Sequence, residues 1–201
     1  MVRALIAAFV LALAAAAGAL GAPKSQDPTQ LPAGDYVLDK HHASLVVKVL
    51  HLGFSNYTMR FDGLDGGFTY DPANWAATKA TITVDPASID TGDPGFNKTI
   101  AGTSFFNAAK FPQITFVTTQ VQGGPDGKGT ITGDLTFLGQ TRPVTLDVLF
   151  HGFGPGMMGG GTRLGFSATG RLKRSDFGLT TYSQYVSDDV DLTVEAEFFK
   201  K

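Results

Sequence analysis

The sequence predicts an all-β protein of about eight strands. Three observations carry this reading. Apolar and polar residues alternate with period two along most of the chain, Gly- and Asp-rich turn signals separate these runs, and no amphipathic helix is long enough to cover a sheet. Strands with one apolar face and no covering helix close into a barrel or pack on a second sheet. Alternation alone leaves both open, the second being a structural or interaction β-sandwich with a filled core.

The first segment reads as a targeting signal. Met1-Val2-Arg3 is a short positive start, Ala4 to Ala17 is apolar throughout, and small residues follow to Ala22. This is the layout of a secretory signal peptide, assigned to residues 1–21, and it places the mature chain in the periplasm or outside the cell. The apolar run is shorter than the ~20 residues that span a bilayer, so stable membrane insertion is not expected. Ala17-Gly18-Ala19 and Ala19-Leu20-Gly21 both offer cleavage sites. Residues 22–33, polar and rich in proline, read as a flexible lead-in, and residues 34–201 as one β domain.

Within that domain, Leu45, Val47 and Val49 share a face opposite Lys48. Tyr57, Met59 and Phe61 oppose Asn56, Thr58 and Arg60, and Phe68 follows after Asp65-Gly66-Gly67. Ile82 and Val84 alternate with Thr81 and Thr83, and Ile114 and Phe116 with Gln113, Thr115 and Thr118. Ile131, Leu135 and Phe137 form one face; Val144, Leu146, Val148 and Phe150 form the next. Leu164, Phe166, Ala168 and Leu172 oppose Arg163, Ser167, Thr169 and Arg171. Val190, Leu192, Val194, Ala196 and Phe198 complete the set. Gly154 to Gly161 reads as a hairpin tip. Only Ser88 to Ala109 breaks the alternation. There Asp90 to Pro94 reads as a turn, and Thr103 or Ser104 as the cap of a short helical turn that includes Phe105 and Phe106.

Composition excludes several function classes. The 201 residues include no cysteine, which removes disulfides, thiolate nucleophiles and Cys-based metal sites. Sixteen Lys and Arg against 18 Asp and Glu give no basic field for nucleic acid. Phosphate loops, dinucleotide fingerprints, nucleophile elbows and zinc-helix motifs are all absent, so no enzyme activity and no cofactor are expected. His42 and His51 lie nine residues apart across an expected hairpin. With Asp39 they form a conceivable metal group, but the spacing fits a hydrogen-bond network at the barrel end better, and no metal is assigned. Asp189 and Asp191, beside Glu195 and Glu197, read as a solvated acidic face. Asp176 is expected to pair with Arg174 or with a cation on a neighbouring strand.

Six segments, in order, resemble the YceI-like family of secreted, lipocalin-like polyisoprenoid-binding proteins. Tyr36 to Ala43 resembles its first strand and following turn, and His51-Leu52-Gly53 the start of its second strand. Ser88-Ile89-Asp90-Thr91 and Phe105 to Phe116 resemble its central helix and next strand. Gly133 to Val144 resembles its Gly-x-Leu-Thr hairpin; Arg174 to Gly178 and Val186 to Val190 resemble its C-terminal signature. Asn97-Lys98-Thr99-Ile100 stands where the family usually has Asp-x-His-Leu, and Ala43 and Leu138 replace its usual Ser and His.

The resemblance implies an extended antiparallel barrel with a short helical segment near residues 88–109. It implies an apolar lumen for a long isoprenoid chain such as a polyprenyl phosphate or a quinone, held for transport or storage, and a possible homodimer. On that reading Leu45, Val47, Val49, Phe61 and Phe68 line the lumen from the early strands. Ile82, Ile114 and Phe116 line it from the middle, and Leu135, Phe137, Leu146 and Phe166 from the later ones. Phe105 and Phe106 would form a lid, with the mouth beside Ser88–Ala109. A phosphate head would need cations, for which Lys48, Arg60 and Arg142 are the candidates. One buried isprene-sized unit of five carbons is worth about 3–4 kcal/mol, so eight units exceed the practical affinity ceiling. Affinity should therefore rise with chain length and stop where the lumen ends.

Overall fold

The computed structural model describes residues 25–156 and 160–201. The signal-peptide segment and part of the Gly154–Gly161 tip lie outside the described residues. Ten strands form one antiparallel sheet: β1 Gly34–His51, β2 Ser55–Phe61, β3 Leu64–Tyr70, β4 Lys79–Val84, β5 Ile89–Asp90, β6 Ile114–Gly123, β7 Lys128–Phe137, β8 Gln140–Pro155, β9 Thr162–Lys173 and β10 Val186–Lys200. Among the described residues one α-helix, α1 Pro94–Ala101, sits between β5 and β6.

Eight strands make a closed ring. Neighbours run β10-β9-β8-β7-β6-β4-β3-β1, and β1 pairs back to β10. The fold is thus a closed barrel, and the filled-sandwich alternative is set aside. From β6 to β10 it is the expected hairpin-by-hairpin meander. Elsewhere β1 is long enough to serve two partners on one side. Its first residues pair with β3 (Tyr36↔Phe68) and its last with β2 (Val47↔Met59). Strand β2 in turn carries the short β5.

The turn expected after Tyr36–Leu38 is a bulge inside β1. The register to β10 shifts between Leu38 and Ala43. Tyr36 and Leu38 point inward, and so do Ala43 and Val47, all buried. The bulge switches the inward set from even to odd positions, which keeps apolar residues on the inner face along the whole strand. Two-residue turn chemistry is visible between β7 and β8, where Leu138 (φ 51°) and Gly139 (φ 76°) both take left-handed conformations.

The helical segment starts earlier than the sequence reading placed it. The Asp93 carboxylate accepts hydrogen bonds from the Gly95 and Phe96 amides, and Pro94 fills the first helical position. The Asp-Pro pair that reads as a turn is the helix cap, and Thr103 and Ser104 lie beyond the helix end at Gly102. The lead-in also differs from expectation, because Ser25 to Pro32 is held against the barrel. Leu31 is buried, Ser25 bridges to Phe153, and two tyrosine hydroxyls donate to its carbonyls: Tyr36 to Pro32 and Tyr70 to Pro28, each at 2.7 Å. Burial pushes the Tyr36 phenol up to about 12 and raises that of Tyr70.

Candidate functional site

Inward residues of the ring strands enclose a cavity of about 510 Å³. Its size falls in the range of small-molecule sites. Many inward apolar side chains, such as Leu45, Leu192 and Val194, are only half-buried although they point away from solvent, because they face this space. A filled core would bury them completely.

Thirteen of the fourteen residues assigned to the lumen by sequence lie on its wall, from Leu45, Val47 and Val49 on β1 to Leu146 on β8 and Phe166 on β9. Phe105 does not. Its ring packs beside Tyr182, 5.9 Å between centroids, outside the lumen, whereas Phe106 turns inward against Phe61 and Phe137. Phe106 and the buried Ile100 of α1 close one end.

The mouth is at the opposite end from the expected one. Among the described lining residues, the exposed ones are Thr29, Gln122, Gly123, Pro125 and Lys128. These belong to the Pro28–Gln30 turn and the β6–β7 hairpin. Trp75, in the 3-10 segment Pro72–Ala77, lies across this opening; its ring edge sits near Gly123, where a Cβ would come within 3.9 Å. The cations proposed for a head group are also displaced. Arg60 pairs with Asp62 at 2.7 Å, Arg142 donates to the Thr141 carbonyl, and neither these nor Lys48 reaches the cavity. The basic residues on the wall are Lys128 at the rim and Arg174 at the closed end.

Arg174 is buried, and its guanidinium donates to four main-chain carbonyls: Ser187 at 2.9 Å, Leu179 at 3.1 Å, Thr181 at 2.7 Å and Val186 at 3.1 Å. It ties the segment between β9 and β10 to the barrel end. The expected pairing with Asp176 does not form. The nearby carboxylate is Asp188, which accepts from the Ser175 hydroxyl and amide; these bonds hold its pKa below the usual carboxylate value.

Two residues, Thr118 and Trp75, and the bonding role of a third, Arg174, escaped the sequence reading. Thr118 was placed on the outer face, but it lies two residues from Phe116 and points inward, 3% exposed. Strict period two would have found it. Trp75 and Arg174 lie outside the alternating runs, so periodicity carried no signal for them.

The histidines do not meet across a hairpin. His42 and His51 lie on the same strand, roughly 25–30 Å apart by strand rise. His42 Nδ1 instead sits 3.0 Å from Asp39, whose other partners are the Arg163 guanidinium and the His41 amide. Hydrogen bonding from Arg163, then from His42 and His41, holds the Asp39 carboxyl far below its ordinary range against the opposing effect of burial. Ligand atoms of Asp39, His42 and Glu197 fall within 4.8 Å of one another, but Arg163 already bridges Asp39 and Glu197. The acidic face of β10 is paired across to β9, with Asp191 at 2.6 Å from Arg171 and Asp189 at 2.9 Å from Lys173. Such half-exposed pairs contribute little stability.

A closed antiparallel barrel with one apolar internal cavity, open at one end, defines a binding protein by architecture. The chain belongs to the YceI-like domain family, whose model matches residues 36–198. It is 39% identical to a UPF0312 protein of Vibrio cholerae over 84% of this chain and 89% of that one. It is 41% identical to one of Yersinia pestis over 82% and 86%. Among solved structures, Burkholderia cenocepacia BcnA superposes with a TM-score of 0.69 at 26% identity, covering 80% of this chain and 98% of that one. The Campylobacter jejuni YCEI protein gives 0.67 at 32%, covering 75% and 89%. A polyisoprenoid binding domain from Saccharophagus degradans shares the fold, with a TM-score of 0.61 at 17% identity over 83% and 98%.

Proposed function

We propose that this chain is a non-enzymatic lipid carrier that sequesters the tail of a long-chain isoprenoid in its lumen, outside the cytoplasm. The cavity carries the argument: every ring strand contributes apolar side chains to it, so its natural guest is an extended hydrocarbon with small width. The polyisoprenoid binding domain from Saccharophagus degradans has the same fold, which supports the choice of guest. Export is supported by the positive start and apolar run of residues 1–21. Binding alone is favoured over turnover because the paired charges Asp39 and Arg163 are not on the cavity wall, and Arg174 on the wall is engaged with carbonyls.

Native mass spectrometry of protein purified from its own host, followed by solvent extraction, tests this. A stoichiometric isoprenoid is the expected result. Ligand-free protein that also refuses added prenyl lipids of every length would overturn it. Affinity across a length series should rise and then level off at the length that fills the lumen.

A further inference from the structure

We propose that the closed end of the barrel is the interface of a two-fold dimer, in which a second copy of this chain covers the β1–β2 hairpin tip, α1 and residues 180–185. Among the described residues, six of the eight exposed large apolar side chains gather at this end: Leu50, Leu52 and Phe54 at the hairpin, Phe96 on α1, and Tyr182 and Tyr185 before β10. The hairpin tip and the segment before β10 touch. The Leu52 amide donates to the Tyr185 carbonyl at 2.7 Å, and the Tyr185 ring lies 6.4 Å from that of Tyr182. Helix α1 joins them through Phe96, which meets Tyr57 of β2 edge-on at 5.7 Å. At the tip, Phe54 is 86% exposed.

The hairpin turn points to a missing partner. Leu52 (φ 52°) and Gly53 (φ 73°) take left-handed conformations, as Leu138 and Gly139 do between β7 and β8. Asn or Asp fits the first of these positions with less strain and better hydration. At β7–β8 the leucine has a reason, because Leu138 packs against the core. Leu52 has the same turn conformation but stands outside that core, half-exposed, so the surface that rewards its side chain lies on another molecule. Size supports a second copy. The four aromatic side chains alone expose roughly 450 Å² at ~200 Å² each. That already matches the largest patch of a typical monomer. The two leucines and an exposed polar rim of Asn56, Thr180, Ser183 and Gln184 bring the face toward the ~800 Å² per partner of a stable interface. Charge supports it too. A two-fold axis sets a surface against its own copy, where uncompensated charge repels, and residues 49–59 and 177–187 contain no Asp, Glu, Lys or Arg. A lipid surface is a poorer match, since it favours a basic border, whereas α1 brings Lys98 together with the capping Asp93. The lumen opens at the opposite end, so joining closed ends leaves both mouths free.

Sedimentation equilibrium of the exported, processed protein, from micromolar to submillimolar concentration, tests the proposal. A monomer–dimer equilibrium is expected, and small-angle scattering of the dimer should give an elongated particle about twice the length of one barrel. Phe54→Ser and Tyr182→Ser should each weaken the dimer tenfold or more while leaving Tm at the wild-type value, because both side chains are exposed within one chain. Val117→Ser removes an exposed apolar side chain from the side of the barrel and should leave the dimer intact. Protein that stays monomeric throughout, a dimer that survives both end substitutions, dissociation by Val117→Ser, or a particle with barrels side by side would overturn the interface. Cosedimentation of monomeric protein with phosphatidylethanolamine–phosphatidylglycerol vesicles, lost in Phe54→Ser, would also overturn it and assign the face to a membrane.

Discussion

The phenyl ring of Phe116 lies directly over Gly133 on the neighbouring strand, so close that a Cβ at position 133 would come within 2.4 Å of the ring. The missing side chain is what lets Phe116 lie along the lumen wall. Gly133→Ala should therefore push Phe116 into the lumen and destabilise the fold by about 1–3 kcal/mol, as overpacking does. Urea denaturation measures this. Adding Phe116→Leu should recover most of the loss, and the cycle of four proteins reports the coupling.

Phe116 is also the place to test the lumen itself. Phe116→Asp puts a carboxylate on an apolar wall, where it finds no partner. Folded variant protein, checked by circular dichroism, should carry less than a tenth of the wild-type lipid. Retention at the wild-type level would remove Phe116 from the site.

The position of the mouth predicts a split in exchange kinetics. Trp75→Ala should speed release of bound lipid several-fold, followed by transfer to acceptor vesicles. Phe106→Ala, at the closed end, should cost about 3–5 kcal/mol of stability but leave the release rate close to wild type. The reverse pattern would put the exit beside α1.

Asp39 makes stability depend on pH in a defined direction. Its folded pKa is depressed, chiefly by Arg163, so the stabilisation is complete above the unfolded value of about 4 and is lost as pH falls through and below it. Asp39→Asn should lower stability at neutral pH by about 1–3 kcal/mol and flatten the acid limb of a stability-versus-pH curve. An unchanged acid limb would show that other carboxylates carry it.

Arg174 should tolerate no substitution that keeps only its charge. Lysine cannot reproduce the fork that reaches four carbonyls. Arg174→Lys is expected to lose about 2–4 kcal/mol. Hydrogen exchange should accelerate in residues 179–187 first, because those carbonyls belong to the segment the guanidinium pins.

Period-two alternation marked the inward face of β1, β2, β4 and β6 to β10, because a side chain's face in a strand is a local property of the backbone. The same rule, applied strictly, also assigns Thr118. Exclusion of thiol chemistry follows from composition alone. What only the tertiary structure decided are the features that depend on which strands meet. Closure of β1 on β10 turned apolar faces into a cavity rather than a sandwich core. The bulge at Asp39–His42 was invisible because an excess of three residues over the partner strand shows only against that partner's register. Trp75 at the mouth and Arg174 at the floor acquire their places from neighbours distant in sequence, and a burial or a hydrogen bond exists only once those neighbours are in place.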